Sequence, residues 1–160
     1  MVKNSKNLSI KFIFLVSIIA LVSAFFIEYF LGHQPCNLCV LERIPYFLGI
    51  IIVLLNFKFI QFERFFILLL TIIFFAGTIL SLYHLGIEQG FIQESLVCDL
   101  KNGSNLLSKE EILEQLQEKS VSCKDVTFKI FGLSLTSYNI LISLLITIGA
   151  GKIYFNYDKN

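Results

Sequence analysis

Four long apolar stretches are the feature of this sequence that most limits its possible folds. They cover about residues 12–31, 44–60, 65–83 and 138–153, and a helix needs roughly 20 residues to cross a bilayer. Since 56% of the 160 residues are hydrophobic and the mean hydropathy is +0.76, a soluble domain would expose too much apolar surface. We therefore predict one all-α membrane domain over residues 1–160, built as a bundle of four transmembrane helices in a lipid bilayer.

The first apolar stretch also has features of a signal peptide. Lys3, Lys6 and Lys11 precede it, and residues 22–24 loosely resemble a cleavage site. However, the apolar run continues through Ile27, which makes it longer than the roughly 7–15 residues of a signal core. We therefore predict an uncleaved first transmembrane helix.

The distribution of basic residues predicts how the bundle is oriented. The two tails and the short second loop are rich in basic residues, namely Lys3, Lys6, Lys11, Lys58, Arg64, Lys152 and Lys159. The long loop over residues 84–137 holds more acidic than basic residues. Basic segments favour the cytoplasm, so both termini are predicted inside and the loops at 32–43 and 84–137 outside. The net charge of +1 says nothing about partners, and we expect no nucleic-acid binding.

A short amphipathic helix is predicted within the second outer loop. Ser108 is suited to cap its N-terminus, and Glu111 occupies the matching position of a capping box. Ile112, Leu113 and Leu116 then share one helical face. We expect this helix to lie on the bilayer surface.

All four cysteines fall in the two outer loops of this topology. Cys36 and Cys39 form a Cys-x-x-Cys pair in the first loop, and Cys98 and Cys123 lie in the second. A Cys-x-x-Cys pair occurs in zinc sites, redox sites and structural disulfides alike. Structural zinc commonly uses two such short pairs, and an outer location favours oxidised sulfur. We therefore predict no metal site.

The position of Cys39 predicts that it is the more reactive thiol of the first pair. We expect Cys39 at the N-terminal edge of the second helix, where backbone N–H groups and the helix dipole favour a thiolate. Arg43, four residues later, would add a positive charge on the same helical face. The alternative is a structural disulfide, with Arg43 extending to the lipid headgroups.

The second cysteine pair and His84 each have two interpretations. A bridge between Cys98 and Cys123 would close a loop, and it could staple that loop with about 3 kcal/mol of stabilisation. With two pairs on one membrane face, thiol–disulfide exchange could instead pass oxidation between them. His84, at the outer end of the third helix, is either an interfacial residue without a role or a hydrogen-bond or proton donor to an electron acceptor.

These motifs resemble the DsbB family of bacterial inner-membrane disulfide-generating proteins. The resemblance lies in Pro35–Arg43, in Tyr83–Gln89, in Cys98 and Cys123, and in residues 131–139 before the last helix. It extends over roughly residues 12–153. The absence of tryptophan from the chain departs from the family pattern.

The resemblance implies an enzyme, a protein-dithiol:quinone oxidoreductase of the bacterial inner membrane with its cysteines in the periplasm. Its implied partner is a DsbA-like periplasmic thioredoxin-fold protein, and its implied cofactor is ubiquinone or menaquinone. Carried over by position, Cys98 would form the mixed disulfide with the partner. Cys123 would then exchange with Cys36.

At the quinone end, the resemblance implies that Cys39 faces the ring, with Arg43 and His84 beside it. Two alternatives stay open at this point. One is a non-enzymatic membrane assembly subunit in which two disulfides only shape the outer loops. The other is a vitamin K epoxide reductase-like thiol–quinone enzyme, although that family places its quinone-proximal Cys-x-x-Cys late in the bundle, unlike Cys36 here.

Overall fold

The computed structural model describes residues 2–93, 98, 122–124, 129–130 and 132–156. The helices are α1 (Val2–Tyr29), α2 (Asn37–Leu41), α3 (Ile44–Lys58), α4 (Glu63–Glu88) and α5 (Leu135–Phe155). A 3-10 turn, Ile60–Phe62, joins α3 to α4, and a two-stranded antiparallel hairpin of β1 (Lys129–Ile130) and β2 (Leu133–Ser134) leads into α5. The amphipathic helix predicted at residues 108–116 lies outside the described residues.

Four helical segments are long and apolar enough to cross a membrane. They are Leu8–Tyr29, Asn37–Lys58, Ile60–Glu88 and Leu135–Phe155. Their outer faces carry large exposed apolar side chains such as Phe47, Phe75 and Leu145, which a bilayer would cover. The predicted class, an all-α membrane protein with four spanning helices, is confirmed.

Two helices extend beyond the predicted spans at the end that holds the cysteines. α4 continues to Glu88 instead of ending at residue 83, because His84 is buried with polar partners inside the bundle and does not mark an exit into water. α5 begins at Leu135, since the side chain of Ser134 accepts a hydrogen bond from a backbone N–H of the first turn. Polar residues in these segments therefore belong to the helices and to their packing.

The helices pack around a core to which all four spanning segments contribute. α4 packs most extensively against α5 and also contacts α3, whereas α1 packs against α3 and contacts α5 only sparsely. The buried core consists of Ile10, Ile13, Tyr46, Ile52, Val53, Ile67, Leu70, Phe74, Ile146 and Ala150. The sparse contact between α1 and α5 leaves room for a cavity between them.

Three basic residues, Lys58, Arg64 and Lys152, lie at the end of the bundle opposite the cysteines. The Arg64 guanidinium lies 5.4 Å from the centre of the Tyr154 ring, which joins the start of α4 to the end of α5. Lys58 and Lys152 occupy the last turns of α3 and α5. The predicted orientation depends on this uneven distribution of basic residues. Which end of the bundle faces the cytoplasm stays a prediction.

A close approach between α4 and the start of α3 gives a test of the packing. A Cβ atom on Gly77 would lie 2.9 Å from Cγ of Pro45, whose ring cannot rotate away. We expect Gly77→Ala to destabilise the fold by about 1–3 kcal/mol through overpacking. The measurement is the apparent melting temperature of the detergent-solubilised protein, followed by helical circular dichroism.

Gly149→Ala is the matched control, because a Cβ atom there would meet no described atom within 4 Å. This variant should melt at or slightly above the parent temperature, since alanine favours a helix over glycine. Equal melting temperatures for the two variants would contradict the packing between α3 and α4.

Candidate functional site

Cys36 directly precedes α2 and caps it. Its Sγ atom accepts a hydrogen bond from the backbone N–H of Cys39, with 3.2 Å between sulfur and nitrogen. The sequence predicts that the backbone N–H groups at the helix N-terminus stabilise a thiolate at Cys39. Because the helix begins at Asn37, Cys39 already lies inside its first turn, and the helix N-terminus faces Cys36 instead.

The surroundings of Cys36 favour its thiolate. The hydrogen bond with the Cys39 side chain, followed by the hydrogen bond with His84 and its charge, lowers the pKa of the Cys36 thiol to about 5, although burial acts in the opposite direction. Cys36 is therefore ionised at neutral pH. The prediction that Cys39 is the stabilised thiolate is corrected in favour of Cys36.

His84 lies behind Cys36 and is almost completely buried, with 2% of its surface exposed. Its Nε2 atom is 3.5 Å from Sγ of Cys36, and its Nδ1 atom is 2.8 Å from Oε1 of Glu42. Oγ1 of Thr136 lies 3.3 Å from the same Nδ1 atom. Glu42, His84 and Cys36 thus form a hydrogen-bonded chain that ends on the sulfur of Cys36.

Glu42 is held by a polar network that the sequence analysis did not identify. The amide of Asn139 donates to Oε2 of Glu42 at 2.9 Å and to Oγ of Ser81 at 2.7 Å. The hydroxyl of Tyr46 donates to Oδ1 of Asn139 and lies 3.2 Å from Oγ of Ser143. The only signal in the sequence was the place of Glu42 between Cys39 and Arg43, which says nothing about its partners.

A cavity of about 350 Å³ opens between α1, α3 and α5. Its walls are mainly apolar and include Ile19, Ala20, Ala24 and Ile142. Polar side chains lie among its lining at the cysteine end, among them Cys39, Glu42, Arg43, Tyr46 and Asn139. His84 is not part of the cavity lining, so its predicted contact with a cofactor stays a prediction, and its described contact is with Cys36.

Arg43 joins the start of α3 to the outer end of α1. Its guanidinium forms an ion pair with Glu28 and lies 5.1 Å from the centre of the Phe25 ring. The Arg43 side chain is 17% exposed, which differs from the alternative in which it extends freely to the headgroups. Arg43 and Cys39 both line the cavity, while their predicted role in binding a cofactor stays a prediction.

The second cysteine pair forms a disulfide next to the first. Cys98 and Cys123 are bonded, with 5.9 Å between their Cα atoms, whereas Cys36 and Cys39 are thiols. The disulfide packs with Cys36 in one buried cluster, and the side chain of Asn37 donates to the Cys98 carbonyl at 3.3 Å. The structure therefore brings all four cysteines to one end of the bundle.

The network around Asn139 predicts a stability effect. Asn139→Leu keeps a side chain of similar size but removes the bonds to Glu42 and Tyr46, and each buried partner left unsatisfied costs about 1–3 kcal/mol. Thr147→Val is the control on the same helix, because the Thr147 hydroxyl donates to the Ser143 carbonyl one turn earlier. Helical circular dichroism on heating should show a clear loss for Asn139→Leu and almost none for Thr147→Val; equal losses would contradict the network.

Comparison with known proteins agrees with this geometry. The chain matches the family described as disulfide bond formation protein DsbB over residues 6–152. It is also 35% identical, over 150 residues, to an uncharacterized protein of Rickettsia prowazekii (strain Madrid E). The aligned region covers 91% of this chain and 85% of that protein. The family match favours neither the assembly subunit nor the vitamin K epoxide reductase-like alternative. With four apolar spanning helices and paired cysteines at one end, this chain belongs to the DsbB family of disulfide-forming oxidoreductases of the bacterial inner membrane.

Proposed function

We propose that this protein reoxidises a DsbA-like periplasmic thioredoxin-fold protein and passes the electrons to a membrane quinone, with its cysteine end in the periplasm. The observation that carries the proposal is the position of the Cys36–Cys39 pair. Cys39 lines the apolar cavity, while Cys36 lies in one buried cluster with the Cys98–Cys123 disulfide. One cysteine of the pair thus borders a small-molecule cavity, and the pair lies next to a cluster that holds a second disulfide.

The cavity has the properties that a quinone site requires. Its volume of about 350 Å³ falls within the range of roughly 300–1,000 Å³ for small-molecule sites. Its apolar walls suit a ring with an isoprenoid tail, and Arg43 keeps N–H groups beyond the one that binds Glu28 for a carbonyl oxygen. When bound there, a quinone would accept the two electrons released as Cys36 and Cys39 become a disulfide.

The exchange at the partner end begins on Cys98. A thiolate of the partner attacks Sγ of Cys98, the bond to Cys123 breaks, and the second partner thiol then releases the oxidised partner. The Cys123 thiolate attacks Cys36 of an oxidised Cys36–Cys39 pair, with Cys39 as the leaving group. Attack of Cys98 on Cys123 restores the first disulfide and releases Cys36. Each step replaces one S–S bond by another, so two electrons remain on Cys36 and Cys39.

The low thiol pKa of Cys36, about 5, supports the last of these steps. A thiol with a lower pKa leaves a disulfide faster, and Cys36 is the leaving group when Cys98 re-forms its bond with Cys123. The described sulfur state, with Cys98 and Cys123 bonded and the other pair reduced, is the state that this step leaves behind. Burial of Cys36, which is 6% exposed, limits its reaction with other thiols.

A coupled assay tests the proposal. The purified protein, given a reduced DsbA-like protein and a soluble ubiquinone or menaquinone analogue, should oxidise many equivalents of the substrate. Without quinone it should oxidise at most a stoichiometric amount, because the DsbA potential of about −120 mV leaves little driving force for the cysteines alone. Replacing any of the four cysteines by serine should abolish turnover. Sustained turnover without an acceptor would exclude the quinone step.

The cavity itself can be tested with two variants of α1. Ala24 lines the cavity, so Ala24→Phe should fill part of it and raise the apparent KM for quinone at least tenfold. Val22 is 61% exposed on the outer face of the same helix, and Val22→Phe should leave that KM within twofold of the parent. Steady-state kinetics at varied quinone concentration makes the comparison, and an unchanged KM for Ala24→Phe would place the quinone elsewhere.

A further inference from the structure

A cluster of three soft ligand atoms lies at the start of α2. Cys36 and Cys39 each offer Sγ and His84 offers a ring nitrogen, and the three atoms lie within 4.8 Å of one another. We propose that the reduced form of this site binds one thiophilic divalent metal ion, such as Zn²⁺, through Cys36, Cys39 and His84. The proposal does not depend on the quinone or on the partner, because it rests only on the reduced pair and on His84.

The spacing of the ligands fits tetrahedral zinc. Zn–S bonds of about 2.3 Å and Zn–N bonds of about 2.0–2.1 Å place sulfur and nitrogen about 3.6 Å apart across a tetrahedral angle. In the structure, Sγ of Cys36 and Nε2 of His84 are 3.5 Å apart. Two cysteines and one histidine are also a ligand set that catalytic zinc sites use, with water in the fourth position.

The orientation of His84 suits metal binding. Nδ1 of His84 lies 2.8 Å from Oε1 of Glu42, so when a metal ion displaces the proton on Nε2, the ring keeps its Nδ1 proton towards Glu42 and directs the Nε2 lone pair towards Cys36. Histidine ligands of metals commonly donate their other N–H to a carboxylate in this way, which fixes the tautomer and the ring orientation. Asn139 in turn fixes Glu42 through Oε2. The second layer of a metal site is therefore already assembled.

The local charge balance also favours a cation. Oε1 of Glu88 lies 3.8 Å from Nε2 of His84, and the Glu88 side chain is 7% exposed. Oε2 of Glu88 is buried and has no hydrogen-bond partner among the described residues. An unpaired carboxyl oxygen in a buried site is costly. A divalent ion bound to His84 would place positive charge beside it.

Access to the site comes from the cavity. Cys39 is only partly buried and lines the cavity, whereas Cys36 and His84 are buried and are not part of its lining. An ion can therefore enter beside Cys39, the one of the three ligands that lines the cavity, and water from the cavity would fill the fourth coordination position. This opening separates the proposed site from a closed structural zinc site.

Metal binding and oxidation exclude each other at these sulfurs. Cys36 binds the ion as the thiolate, while the ion replaces the Sγ proton of Cys39 and the Nε2 proton of His84; both protons pass to solvent, and no electrons are transferred. Formation of the Cys36–Cys39 disulfide removes two of the three ligands and releases the ion. A bound ion in turn occupies the sulfur lone pairs that exchange requires. Zinc would therefore act as an inhibitor that holds the enzyme in its reduced form.

Cobalt provides a spectroscopic test. The full-length protein with Cys98→Ser and Cys123→Ser contains only the thiols of Cys36 and Cys39; it is reduced, freed of reductant and titrated with Co²⁺ without oxygen. We expect one ion per chain, a near-ultraviolet thiolate-to-cobalt charge-transfer band, and loss of that band when Zn²⁺ is added. The same protein oxidised to the Cys36–Cys39 disulfide should show no band. Absence of the band from the reduced protein, or equal binding by the oxidised protein, would overturn the proposal.

Three variants in the same background identify the ligands. Cys39→Ser changes a single atom and should abolish the band, while His84→Gln should weaken Co²⁺ binding at least tenfold. His33→Gln replaces the only other histidine of the chain and should bind Co²⁺ as the parent does. Equal affinities for the His84→Gln and His33→Gln variants would overturn the assignment.

A fourth variant tests the role of His84 if the His84→Gln protein fails to fold, which loss of its helical circular dichroism would show. Glu42→Gln retains the shape of the side chain that orients His84, and loss of such a second-layer carboxylate typically weakens metal binding 10–100-fold. An affinity within twofold of the parent would contradict the role of His84 as a ligand. A charge-transfer band that Cys39→Ser leaves unchanged would contradict the role of the pair.

Discussion

The buried carboxyl group of Glu42 is the feature on which the rest of the site depends. Burying such a group costs several kcal/mol unless its oxygens are hydrogen-bonded. Oε1 accepts from His84 on α4, and Oε2 accepts from Asn139 on α5. Both bonds form only when α4 and α5 meet the junction of α2 and α3. The same packing that satisfies Glu42 therefore places His84 against Cys36.

The two sides of the bundle differ because the polar network joins only some of the helices. α3, α4 and α5 are held together through Glu42 and Asn139, whereas the outer end of α1 is attached through the ion pair of Arg43 and Glu28. Between these attachments, α1 contacts α5 only sparsely, and it presents small side chains such as Ala24 to the gap. A cavity remains there between apolar side chains of α1 and α5, and Cys39 lies on its wall.

Much of this arrangement could be predicted from the sequence, because apolar length and cysteine position are local properties. The four spans, the pairing of Cys98 with Cys123 and the place of Arg43 near Cys39 all follow from them. The partners of Glu42 could not be predicted, since Asn139 is distant in sequence and no periodicity relates the two. The thiolate was assigned to Cys39 because the sequence placed the N-terminal edge of the helix there. The helix begins at Asn37, and choosing between the two cysteines requires the first residue of the helix to be known.

The position of Cys36 carries both an advantage and a liability for a redox enzyme. A helix N–H and a histidine stabilise its thiolate, which makes Cys36 a good leaving group in disulfide exchange. Metal ions also bind thiolate and neutral imidazole, so the groups that speed exchange also create a ligand set. Removing His84 would weaken metal binding, but it would also weaken the stabilisation of the Cys36 thiolate. A disulfide between Cys36 and Cys39 has no thiolate to offer a metal ion. Under the proposed function, the removal of electrons that drives the reaction therefore also protects the pair from metal binding.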